Sequence, residues 1–224
     1  YNFGLNRGVV DSNPVQSIKP LGKENRRKRV YEKQEIKVIW DTFDTLNEPF
    51  KSLFKLLLVC GQRAGETRTM QWVHIKDDIW TIPAENTKAK RTQVLPLPDL
   101  AIDILKERKK DLQKSDYVFA SPVNPSEPIN WLQKVAGEVR KSSQIEDFRL
   151  HDLRRTVATY MAELKVDRTT LGKVLNHKGL AGDSQVTAVY DRHDYLEEKS
   201  RALQLWNTHL AGIITGKNEA KIFK

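Results

Sequence analysis

Cysteine is almost missing from these 224 residues, with Cys60 standing alone. One thiol cannot build a disulfide framework or a cysteine-based zinc site. Inside the run Leu56-Leu57-Leu58-Val59-Cys60 it reads as a small buried hydrophobe of a reducing compartment. That run is the longest uninterrupted apolar stretch, far below the roughly 18 residues a membrane span needs, so no membrane partner is expected. Also lacking are a secretory signal peptide, an internal repeat, a low-complexity tract and any carboxylate–histidine cluster at metal-ligand spacing. Neither a metal nor a cofactor is therefore expected. Negative charge is in short supply: 29 Asp and Glu face 38 Lys and Arg, a net charge of +9 that favours a polyanionic partner. A hydrophobic share of 39% is nonetheless too large for a disordered chain.

Residues 1–29 are polar, carry Gly4, Gly8, Pro14, Pro20 and Gly22, and end in the basic run Lys23 to Arg29. They read as a linker or the tail of a preceding element. Arg26, Arg27, Lys28 and Arg29 either solvate a hinge or lie along phosphates. A domain is expected over 30–214. Ile36, Ile39, Trp40 and Phe43 recur at helical spacing, as do Phe50, Leu53, Phe54, Leu57 and Leu58. The second set is more apolar all round and predicts the central helix, ended by the glycines around Arg63. Trp72–Ile75, Ile79–Ile82 and Thr92–Leu97 are β-rich runs separated by turns. Helical periodicity returns with Leu105, Val135, Val157 and Leu171, and again with Leu196, Leu203 and Leu210. The expectation is a mainly helical α+β domain with one small three-stranded antiparallel sheet.

Three places hold polar residues that helix packing does not require. Arg63 lies between two glycines at the end of the most apolar helix, with Glu66 three residues on, placed to orient it or to cap a short helix. His151-x-x-Arg154 opens another helix, which puts imidazole and guanidinium on one face near unpaired N–H groups. His177 is followed by Tyr190 in Ala188-Val189-Tyr190-Asp191-Arg192. Lys88 lies in the second sheet turn, with Lys90 and Arg91 as near alternatives.

In that order, Arg63, Lys88, His151, Arg154, His177 and Tyr190 resemble the catalytic set of the tyrosine recombinase family, phage-type integrases in particular. The wording is carried by Gly61-Gln62-Arg63-Ala64-Gly65-Glu66, Thr87-Lys88, Val94-Leu95-Pro96-Leu97, His151-Asp152-Leu153-Arg154-Arg155-Thr156 and Leu175-Asn176-His177. The resemblance covers about Val30 to Gly212. It implies a DNA strand-exchange enzyme, integrating or excising a phage or genomic island through a covalent phosphotyrosine. It also implies double-stranded attachment sites, a homotetramer on synapsed duplexes, an accessory directionality factor and action in the bacterial cytoplasm. The free fragment is expected to be monomeric. Arg26–Arg29, Lys90, Arg91 and Arg155 are the expected DNA contacts. The family's N-terminal DNA-gripping domains have no counterpart here, in keeping with a chain that opens on Tyr1 rather than Met. In residues 215–224, Ile222 and Phe223 suit either an arm docking on a neighbouring subunit or a frayed end.

The chemistry follows from residue types. Two guanidiniums, Arg63 and Arg154, suit a clamp on the oxygens of a phosphodiester. Tyr190 would attack as phenolate; Lys88 would protonate the leaving oxygen. His151 would take the tyrosine proton or bond a phosphate oxygen, and His177 would donate to another. Tyr195 is the rival nucleophile, although its spacing with Leu196 suits packing. His74, His193 and His209 read as structural or surface residues. Two other readings stand beside this one: a type IB topoisomerase with similar chemistry, and a non-catalytic DNA-binding module.

Overall fold

Helix α3 (Phe50–Cys60) is the axis of the molecule, because eight of its eleven residues are buried. The structure, a computed structural model, describes residues 1–18, 27–110, 115–177 and 194–216. A helix apolar on every side must be covered on every side. Around α3 lie α2 (Lys33–Asp44), α5 (Asp99–Lys110), α7 (Leu150–Glu163) and α9 (Leu196–Thr215). The periodic residues Ile36, Ile39, Trp40 and Phe43 of α2 all face inward. Its start is fixed by a reciprocal capping box between Glu32 and Glu35. Helix α9 buries Leu203, Trp206 and Leu210, and the Trp206 indole N–H donates to the Leu58 carbonyl at 3.0 Å. The remaining helices are α1 (Asn2–Leu5), α4 (Ala64–Arg68), α6 (Leu132–Ser143) and α8 (Arg168–Val174). No helix among the described residues is long and apolar enough to cross a membrane.

The sheet is antiparallel, in the order β1 (Ile75–Lys76), β2 (Ile79–Ile82), β3 (Gln93–Pro96), with Trp80 opposite Leu95 and Ile82 opposite Gln93. Its first strand is shorter than the sequence suggests. Trp72–His74 form a 3₁₀ turn instead. Asp77 and Asp78, at φ 50° and 58°, make a two-residue turn that pairs only Ile75 with Trp80 and Lys76 with Ile79. Arg27 and Arg29, in the run expected either to solvate a hinge or to lie along phosphates, are ion-paired to the domain, through Asp152 and Asp147 for Arg27 and through Asp147 and Glu35 for Arg29.

Gly61 joins the axis to the site. It caps α3 at φ 64°, and a Cβ there would stand 2.8 Å from Cγ1 of Val157 on α7. Left-handed backbone costs an L-residue about 1–2 kcal/mol and an overpacked contact about 1–3. Gly61→Ala is expected to lower unfolding free energy by roughly 2–4 kcal/mol, read from the denaturant midpoint with an unchanged slope.

Candidate active site

Arg63 caps α4 at its N-terminus, and its guanidinium bonds Glu66 Oε1 at 2.8 Å. The Glu66 carboxylate is only 3% exposed. The same oxygen accepts the backbone N–H of Lys88 at 3.2 Å, so one buried carboxylate ties the Arg63 loop to the β2–β3 turn. That turn is not a loose tip. The buried Thr87 hydroxyl accepts the Arg91 N–H at 3.1 Å and donates to the Arg91 carbonyl at 2.9 Å. The Lys88 side chain itself is exposed.

Arg154 lies one turn into α7, behind His151. It is 6% exposed and is held by main-chain carbonyls, Gly61 at 3.0 Å and Leu175 through a second, very short bond. Burial, and then the guanidinium of Arg63, lower its pKa to about 10, which leaves it charged at neutral pH. Arg63 is thus near enough to be felt. His151 is exposed on the same turn, and its pKa lies below the ordinary imidazole value. Partial loss of solvent is the first cause; Arg155, Arg154 and Arg63 follow. A lowered pKa leaves the ring neutral at pH 7 and able to accept a proton.

His177 is exposed at the end of α8, and four side chains from three other parts of the chain hold that end. The amides of Gln62 and Gln93 both donate to the Val174 carbonyl, at 2.9 and 2.7 Å. Arg154 takes the Leu175 carbonyl, and Arg91 Nε donates to Asn176 Oδ1 at 2.6 Å. Asn176, at φ 48°, then turns the chain out to His177. A cleft of about 370 Å³ opens beside this turn, lined by Arg91, Gln93, Lys173, Asn176 and Lys199 among others. A larger one of about 570 Å³, at Leu46, Phe50 and Trp131, is lined by none of the candidate residues.

Hydrogen bonds thus tie the Arg63 loop to the Lys88 turn, and Arg154, one helical turn from His151, to Gly61 and to the end of α8 just before His177. Tyr190, with Arg26 and His193, lies outside the described residues. Tyr195 starts α9, half-buried, with Lys173 Nζ 4.8 Å from its ring centre. Among the expected DNA contacts, Lys28 and Lys90 are exposed. Arg27, Arg29 and Arg155 are instead engaged by carboxylates, and Arg91 by Asn176. His209 is buried against Tyr160 and Trp206. Among the described residues no group of three or more His, Cys, Asp or Glu could share a metal ion. Gln62, Gln93, Thr87 and Asp152 carry much of this framework and went unnoticed in the sequence. Their partners are mostly backbone atoms, which leave no trace in a residue pattern.

Residues 29–197 match the phage integrase family, and the chain belongs to it. It is 24% identical to prophage integrase IntA of Escherichia coli K12 over 91% of this chain and 50% of that protein. With the integrase of Salmonella phage P22 it shares 28% identity over 73% of this chain and 44% of that one. The chain thus spans about half the length of these relatives. The fold matches lambda integrase in a dimer bound to a COC′ core site, at TM-score 0.59 and 20% identity, covering 79% of this chain and 67% of that one. It also matches XerH recombinase bound to difH, at TM-score 0.58 and 16% identity, covering 80% and 55%.

Proposed function

We propose that this chain is the catalytic part of a site-specific tyrosine recombinase, which cuts and rejoins DNA through a 3′-phosphotyrosyl intermediate. The observation that carries the reading is geometric: buried Arg154, one turn behind His151, is fixed by the Gly61 and Leu175 carbonyls, while Glu66 holds Arg63, two residues after Gly61, beside the Lys88 turn. Guanidiniums held in place in this way suit an anion whose charge grows as it reacts. The two guanidiniums bind the non-bridging oxygens of the scissile phosphate and neutralise the charge that grows there.

The Tyr190 phenol, with an ordinary pKa of about 10, gives its proton to neutral His151 as its oxygen attacks phosphorus. The bond from phosphorus to the 5′-oxygen breaks, and the Lys88 ammonium protonates that leaving oxygen. His177 donates to a phosphate oxygen. The ester so formed keeps the energy of the broken linkage, so a 5′-hydroxyl from a second strand reseals it without ATP. The substrates are duplex attachment sites; the working state is a homotetramer on two synapsed duplexes in the bacterial cytoplasm, aided by a directionality factor. The separate fragment is monomeric.

A nicked duplex whose cut end diffuses away traps the intermediate. The expected result is a denaturant-resistant protein–DNA band that forms in EDTA, with the nucleotide on the peptide carrying Tyr190. No adduct at saturating DNA overturns the reading, and a band lost on chelation removes its metal independence.

A further inference from the structure

Residues 27–31 lie against the start of α7 and the loop that leads into it. Arg27 Nε donates to Asp152 Oδ2 at 2.7 Å, while its Nη2 reaches the Asp147 carbonyl at 2.6 Å and Asp147 Oδ2 at 3.0 Å. Arg29 Nε shares that Asp147 oxygen at 3.0 Å. The Tyr31 N–H donates to Thr156 Oγ1 at 3.0 Å, and the Tyr31 hydroxyl accepts the Arg149 N–H at 2.8 Å. Lys28, between the two arginines, is exposed.

Asp152 is the unusual member. Its carboxylate is wholly buried and lies between His151 and Arg154 in sequence, within the opening turn of α7. A buried carboxylate persists only when compensated, and removing one partner of such a pair costs far more than the pair contributes. Two guanidiniums compensate it. Arg155 is on the same helix and moves with it. Among the described residues, Arg27 alone fastens the Asp152 carboxylate to a different stretch of chain. The opening turn of a helix has few hydrogen bonds of its own, so outside contacts set its orientation.

We infer that Arg27 is a positioning residue for His151 and Arg154, acting through Asp152, and not a DNA contact. The inference rests on the recombinase reading for its consequence in catalysis. Two of the three protein oxygens that Nε and Nη2 of Arg27 meet belong to carboxylates, which already neutralise it, whereas Arg154 is held by neutral carbonyls and keeps its charge for a ligand. Without Arg27 the Asp152 carboxylate is half-compensated, and its relief is to turn toward solvent, carrying the first turn of α7 with it. A displacement of an ångström at such a site costs on the order of 10²-fold in rate when complete. Arg155 remains, so a smaller loss follows.

The test compares Arg27→Ala, Arg27→Lys and Arg29→Ala in this chain on the nicked duplex, below the midpoint of thermal unfolding. Arg29 belongs to the same segment but does not touch Asp152. For Arg27→Ala the adduct rate at saturating DNA should fall about ten-fold, with the dissociation constant and its salt slope unchanged. Arg27→Lys should recover part of that rate, and Arg29→Ala should stay near wild type. A salt slope reduced by about one, with the saturated rate intact, would make Arg27 a phosphate contact and overturn the inference. Equal rate losses in the alanine variants of Arg27 and Arg29 would overturn it too, since the segment would then serve only to hold the domain together. Hydrogen exchange at the α7 amides from Leu153 to Thr156, which close its first turn, reads the same contact without chemistry. It should quicken in Arg27→Ala and not in Arg29→Ala, and unchanged exchange sinks the inference even if the wild type forms no adduct. An inactive wild type would count against the recombinase reading alone.

Discussion

Tyr190→Phe is expected to abolish the denaturant-resistant adduct while leaving salt-sensitive DNA retention as in wild type. Removing an attacking oxygen from an enzyme whose other parts remain costs a factor on the order of 10⁴ or more. Phenylalanine keeps the ring, so packing and charge are preserved and the loss reports the oxygen itself. Tyr195→Phe is the companion measurement. Tyr195 is anchored at the start of α9, and Lys173 lies over its ring; both contacts survive the loss of a hydroxyl. The adduct rate of that variant should stay within about two-fold of wild type, a change of about 0.4 kcal/mol. Reversal of the two results would move the nucleophile to Tyr195.

The second large effect belongs to Arg154. Arg154→Ala should lower the single-turnover rate by at least about 10³, since a preorganised donor on developing phosphate charge is worth that much or more. It should also destabilise the fold. The Gly61 and Leu175 carbonyls lose their donors, and each buried group left unpaired costs about 1–3 kcal/mol. Arg154→Lys keeps the charge but cannot reach two carbonyls and a phosphate at once, so it should rescue neither rate nor stability in full. A substrate with a 5′-thio leaving group needs no proton at departure. It should restore cleavage to Lys88→Ala and not to Arg154→Ala; rescue of both would mean that Arg154 acts in leaving-group protonation.

Much of the frame was legible where local chemistry decides it. The spacing of Ile36, Ile39, Trp40 and Phe43 predicts a helix that the structure places at Lys33–Asp44, and the glycine after Cys60 ends α3 as expected. Strand β1 came out shorter because Trp72–His74 wind into a 3₁₀ turn, which a β-rich run conceals. The basic run before Val30 left a hinge and a phosphate strap both open, for a different reason. Charge in a sequence looks free until its partners are known, and those of Arg27 and Arg29 include Asp147 and Asp152, well over a hundred positions away. Arg63, Lys88, His151, Arg154 and His177 could be picked out by resemblance, since their order is part of the wording. The residues that hold them could not. Gln62 and Gln93 meet at one carbonyl of α8, a convergence that depends on tertiary approach alone.

Arg154 is fastened by two main-chain oxygens before any ligand arrives. A long side chain ordinarily surrenders about 2 kcal/mol of rotamer entropy when a guest immobilises it. Here the freezing accompanies folding, and under the proposed function an oxyanion would meet a receptor already in shape. Vanadate or another tetrahedral mimic would then dock with little reorganisation, its binding heat dominated by displaced water and charge pairing.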